Sequence, residues 1–178
     1  MLWTRHYIFF RRYGLGDTTT LLWNAVLMFV TLIYVYPLRF LFGYLCDGMW
    51  YLTGVLPKEF QDEVVLRLEH SVTTEQARGM MVLYGAGYAA VSLTFDWMHR
   101  HALRRAQELE LDSRELVLTR HEIWSNGASA GVALLSIVVA LVSRPDLAGW
   151  LYFLLFPLGW YGGVRLGRAL KRVDVAGP

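Results

Sequence analysis

A single cysteine, Cys46, stands in 178 residues, so no disulfide forms within the chain and the fold rests on packing rather than on covalent staples. Charge of one sign is equally scarce. Seventeen Lys and Arg against fifteen Asp and Glu leave a net charge of +2, and the basic residues gather at the ends of apolar blocks. That excludes the basic stripe a nucleic-acid partner requires, so no nucleic acid is expected. No nucleophile stands beside a base, and no phosphate-cradling loop is present. His99 and His101, two apart, point to different sides of a helix, which is poor geometry for one metal ion. The chain therefore reads as a non-enzyme with no catalytic residue, no metal and no cofactor, although a bound lipid or pigment fits its aromatic content. The N-terminal MLWTRHYIFFRRYG lacks a signal-peptide core followed by a small-residue cleavage site, and is expected to be retained.

What is plentiful is apolar surface. The chain is 55% hydrophobic and 15% aromatic, in four blocks separated by charged segments. The stretch TTTLLWNAVLMFVTLIYVYPLRFLFGYLC, Thr18 to Cys46, has no ionised side chain between Leu21 and Leu38. A hydrocarbon core of roughly 30 Å needs about 20 such residues at about 1.5 Å each. The expected fold is an all-α membrane protein with four transmembrane helices, at about 18–42, 79–98, 123–142 and 147–166. They form one domain, 18–168, between an interfacial N-terminal segment, 1–17, and a C-terminal tail, 169–178. A short amphipathic helix is expected in the first outer loop, where Pro57 precedes Phe60, Val64 and Leu68 at four-residue spacing.

Residues 1–17 set Arg5, Arg11 and Arg12 beside Trp3, Tyr7, Phe9, Phe10 and Tyr13, the composition of a helix in the headgroup layer. An unattached tail and the stub of a further membrane helix are the alternatives. Gly14 and Gly16 break the segment, and Asp17 supplies an N-cap for the first crossing helix. Four polar residues fall within or at the ends of the crossing helices. Asn24 is expected to bond a neighbouring helix, Arg39 to reach headgroups, and Asp96 to pair with Arg100 one turn on; Asn126 stands with serines in the third helix. Thr73 and Gln76 suggest a cap for the second helix, and Asp112, Ser113 and Glu115 one for the third.

Small residues mark faces on which another helix can approach closely. Gly85 and Ala89 lie on the second helix, Gly127 and Gly131 on the third, and Gly159, Gly163 and Gly167 on the fourth. They either close the bundle on itself or meet another protein. Ser143 to Asp146 reads as a tight turn, and Trp150, Tyr152, Trp160 and Tyr161 as belt residues.

Orientation follows from the cations. Twelve lie on one side: Arg5, Arg11, Arg12, Arg100, Arg104, Arg105, Arg114, Arg120, Arg165, Arg168, Lys171 and Arg172. Four lie on the other, at Lys58, Arg67, Arg78 and Arg144. The expected location is the inner cell membrane, multi-pass, with both termini cytoplasmic.

The order of RRYG, a polar break, LLWNAVLMFVTLIYVYPLRF, an acidic loop, MMVLYGAGYAAV running into a basic helix, and two helices joined by a short turn resembles the later four helices of the lysosomal potassium channels of TMEM type and their bacterial relatives. The resemblance covers about Arg11 to Arg168. In that family six helices form a unit whose first helix lines the pore and begins with Phe-Ser-Asp. That signature is missing here, so the resemblance carries no conducting residue over to any position. The expected function is accordingly a non-catalytic membrane subunit. It packs against lipids and against other membrane-protein subunits or copies of itself, as an accessory piece of a respiratory, photosynthetic or transport assembly. A potassium channel, or a subunit of one, is the alternative.

Overall fold

A computed structural model describes residues 2–53, 74–142 and 145–176. Side chains of residues 2, 36–53, 74, 145–146 and 176 lie outside that description. The described residues are helical almost throughout: α1 (Leu2–Tyr13), α2 (Thr18–Thr53), α3 (Thr74–Arg104), α4 (Ser113–Val142), α5 (Pro145–Trp150), a 3₁₀ turn (Leu151–Leu154) and α6 (Leu155–Ala176). The expected loop helix, the Thr73–Gln76 cap, the Arg39 side chain and the first half of the 143–146 turn lie outside the described residues.

Local chemistry sets the boundaries. Gly14 takes φ 57°, the left-handed region open to glycine, and donates its N–H to the Phe10 carbonyl at 3.0 Å, which ends α1. Asp17 then starts α2: its carbonyl accepts the Leu21 N–H at 3.0 Å and its carboxylate accepts the Thr20 hydroxyl at 2.6 Å. Helix α3 stops at Arg104, and the chain turns through Glu110 at φ 50° instead of continuing as a helix to Leu111. A reciprocal cap opens α4. Glu115 N–H donates to Asp112 Oδ1 at 2.7 Å while Asp112 N–H donates to Glu115 Oε2 at 3.1 Å. Helix α6 runs to Ala176 through the expected tail, because Arg168 to Val175 contain no glycine or proline to stop it.

Three helical stretches, rather than four, are long and apolar enough to cross a membrane among the described residues: Thr18–Val35, Ser113–Val142 and Leu147–Val175. The missing one is α3, whose 31 residues include Glu75, Arg78, Asp96, Arg100 and Arg104. Its position explains the difference. It packs against both α2 and α4, its most extensive partner, so Ser92, Thr94, Asp96 and His99 are buried against protein, while Glu75, Arg100 and Arg104 stay exposed toward its ends. Helix α4 is the centre, with 33% of its span buried against 11% for each of the other two. Its buried stripe is Thr119, Asn126, Ala130, Ala133, Ser136 and Ala140, spaced three, four or seven apart. These small side chains let α3 lie close, and Ser136 Oγ donates across to the Ala148 carbonyl of α5 at 2.9 Å.

Helix α1 is held by the bundle. Phe9, Tyr13 and Leu15 are buried in one apolar cluster with Met98 and Ala102 of α3, ringed by Phe10, Trp23, Leu109 and Leu111.

Candidate functional site: a polar layer joining four helices

Around that cluster, side chains from α1 reach every neighbouring long helix. Arg5 donates to Glu122 of α4 at 2.7 Å. His6 Nε2 donates to Asn24 Oδ1 of α2 at 2.6 Å. Tyr13 meets Thr119 Oγ1 of α4 at 2.6 Å in a buried setting, and the direction of that bond can be assigned. Thr119 already donates its hydroxyl to the Glu115 carbonyl at 2.7 Å, so Tyr13 is the donor. Below α1, Asp17 Oδ2 accepts from His101 Nε2 at 3.1 Å, and Asp17 Oδ1 lies 3.5 Å from Arg105. The Thr20 hydroxyl, aided by His101 and Arg105 and opposed by partial burial, holds the Asp17 carboxyl below the ordinary 3.8.

His99 sits at the middle, 5% exposed, and donates Nδ1–H to the Phe95 carbonyl at 2.7 Å. Phe9 and Tyr13 approach it edge-on, at 5.2 and 6.0 Å between ring centres. Arg5 lies 5.9 Å from the Phe95 ring centre, so its charge faces both a carboxylate and an aromatic face. One helical turn into the bundle, Asp96 Oδ2 accepts from Arg100 at 2.6 Å and Asn126 Nδ2 donates to the Glu122 carbonyl at 2.8 Å. The remaining oxygens, Asp96 Oδ1 and Asn126 Oδ1, are buried without a hydrogen-bond partner among the described residues.

The sequence-singled residues therefore separate. Asn24, Asp96 and Asn126 belong to this layer, and the Arg39 side chain lies outside the described residues. Gly85 is tight against Ile137 of α4, where an added Cβ would lie 2.6 Å from a side-chain carbon, and Ala89 is buried. Gly127 has room, with Asp96 Oδ1 at 3.9 Å, and Gly131, Gly159, Gly163 and Gly167 face open space. The other two close seats are at glycines that spacing did not single out: Gly87 under the Tyr34 ring of α2 and Gly162 under Trp124 of α4. An aromatic residue on a neighbouring helix is the shared signal, and the chain does not encode which one. Tyr152, expected in a belt, packs instead against Tyr84 and Tyr88 at 5.1 and 5.7 Å. Trp150 and Trp160 are 67% and 76% exposed, as belt residues require.

No family model matches the chain. A potassium channel of Marivirga tractuosa is 35% identical over 164 residues, which is 89% of this chain and 64% of that protein. The chain thus spans less than two thirds of that relative's length. A variant of the potassium channel MtTMEM175, crystallised with a nanobody–MBP fusion, is 33% identical. It superposes with a TM-score of 0.77 over 96% of this chain and 72% of its own. Helices of this length and these relatives define an all-helical, multi-pass membrane protein. The chain belongs to the TMEM175-type potassium channel family.

This overturns the expectation of an accessory subunit in a respiratory, photosynthetic or transport assembly, since both relatives are themselves potassium channels. The features behind that expectation have another cause. Gly85 and Gly162 are close against side chains of this same chain, and three of the four residues in the Tyr34, Tyr84, Tyr88 and Tyr152 ring cluster come from helices that pack on one another.

Proposed function

We propose that the chain is a potassium-channel subunit of this family. In this reading four helices cross the inner membrane: α2, α3, α4, and the path from α5 to α6. Both termini are cytoplasmic, and copies of the chain associate. The observation that carries it is the likeness to potassium channels along nearly the whole chain, with a TM-score of 0.77 over 96% of its residues. The excess of cations on one side supports the orientation. Self-association is supported by how little of the outer helices is covered: Leu21, Leu22, Phe29, Leu32 and Ile33 of α2 are each more than half exposed. Gly159 and Gly163 of α6 have no atom near an added Cβ.

The polar layer then has a mechanical part in the channel. Arg5, His6 and Tyr13 bond α1 to α4 and α2, Phe9 packs it against Met98 and His99 of α3, and Asp17 ties the start of α2 to His101 of α3, so a displacement of α1 strains three helices together. The chemistry suits a brace, since Arg5, His6, Tyr13 and Asp17 are each bonded to a side chain on another segment. Potassium flux into proteoliposomes of the purified chain tests the function, with cross-linking of copies as the test of association. Flux above protein-free vesicles, and cross-linked oligomers, are the expected results. Folded protein that passes no potassium would contradict the reading.

A further inference from the structure

Beside the polar layer, α3 and α4 together line an open cavity of about 270 Å³, formed by Arg100, Leu103 and Arg104 of α3 and Arg120 and Ile123 of α4. The spacings 100, 103, 104 and 120, 123 each put their residues on one helical face. Arg100 donates Nε to Asp96 Oδ2 at 2.6 Å. Arg104 lies over the Trp97 ring at 5.7 Å and has no ion pair among the described residues, and Arg120 has none either. Asp96 is the one carboxylate paired with any of the three arginines among the described residues, so the lining carries two guanidinium charges in excess.

The setting is as informative as the charge. Leu103 and Ile123 put two aliphatic side chains into the same wall. Ile123 also begins the long apolar part of α4, while Arg114 and Arg120 lie on the polar side of it. Trp97, 43% exposed, packs tilted against Trp23 of α2 with ring centres 5.4 Å apart and carries Arg104 on its face, an arrangement that belongs at the boundary between hydrocarbon and headgroups. A freely dissolved anion has no use for aliphatic walls, and a neutral lipid has none for two unpaired guanidiniums.

We propose that this cavity binds the headgroup phosphate of an anionic phospholipid of the inner leaflet. Arg104 and Arg120 grip the phosphate oxygens from two different helices, and Leu103 and Ile123 meet the glycerol backbone and the first methylenes. The occupant ties α3 to α4 at the level where α1 docks. The assignment does not depend on conduction.

Native mass spectrometry of the full chain in neutral detergent tests it, with phosphatidylglycerol, phosphatidylcholine and inorganic phosphate each as the probe. Phosphatidylglycerol is expected to be retained over phosphatidylcholine. Retention is expected to fall roughly fivefold for each arginine removed in Arg104→Gln and Arg120→Gln. Arg168→Gln with Lys171→Gln removes the same charge from α6 and is expected to leave retention unchanged. Arg104→Lys with Arg120→Lys keeps the charge, serves if the glutamine pair does not fold, and is expected to bind more weakly than the native chain because an ammonium cannot grip two oxygens in one plane. Equal retention by the native chain and whichever cavity variant folds would overturn the proposal. So would equal loss in the α6 control, or displacement of the lipid by inorganic phosphate alone, which would mark a free-anion site.

Discussion

Tyr13 and Thr119 lie 106 positions apart, yet their hydroxyl oxygens stand 2.6 Å from each other in the buried seam between α1 and α4. The bond has a fixed direction, since Thr119 donates onward to the Glu115 carbonyl. It is a tertiary tie made of two neutral groups, so salt should not weaken it.

Removing either end tests that tie. Tyr13→Phe deletes the donor and keeps the ring in its place against Phe9 and His99. The expected cost is about 0.5–1.5 kcal/mol, the usual net worth of a neutral hydrogen bond. Thr119→Val also removes the onward bond to Glu115 and should cost at least as much. A double-mutant cycle followed by denaturation in detergent should show the two effects to be non-additive. Additive losses would mean that the hydroxyls do not interact.

Neighbouring glycines on α6 make a second comparison. An added Cβ at Gly162 would lie 2.5 Å from a ring carbon of Trp124, whereas at Gly163 nothing lies within 4 Å. Gly162→Ala should therefore destabilise by about 1–3 kcal/mol through overpacking. Gly163→Ala should be neutral, or stabilising by up to about 1 kcal/mol, since alanine is the better helix former. Thermal unfolding of both variants in the same detergent checks the order, and reversal of it would place α6 in a different rotation.

Asp17 gives the pH dependence. Its folded value lies below the ordinary 3.8, chiefly through the Thr20 hydroxyl, so its contribution is fully present above 3.8 and is lost as pH falls through the folded value. Asp17→Asn, which retains an N-cap side chain, should lower Tm at neutral pH. The gap between native and variant should close on acidification below about pH 4. A gap that stayed constant would show that the carboxylate charge contributes nothing.

Elements whose cause lies within one helical turn were legible in the sequence. The cap of Asp112 with Glu115, the Asp96–Arg100 pair and the break at Gly14 each depend on residues within four positions of one another. The long apolar runs of α2, α4 and α6 announce themselves by the same kind of local count. Helix α3 was harder, because a helix packed between two others can carry Asp96 and His99 toward protein and no longer needs a uniformly apolar surface. Glycine spacing pointed to Gly127 and Gly131, while the buried stripe of α4 runs through Asn126, Ala130, Ala133, Ser136 and Ala140. Alanine and serine permit close approach as well, and the face a helix turns inward is set by its neighbours. The polar layer was visible only in part. Asn24, Asp96 and Asn126 stood out as polar residues in apolar surroundings. Arg5, His6 and Tyr13 looked like ordinary headgroup-layer residues until their partners on α2 and α4 were known.

Potassium flux into proteoliposomes bearing the purified chain tests the central claim most directly. With an inward potassium gradient and a potential-sensitive dye, the account predicts a potassium-dependent signal above that of protein-free vesicles. The absence of any such signal from protein that retains its helical circular dichroism and cooperative unfolding would contradict it.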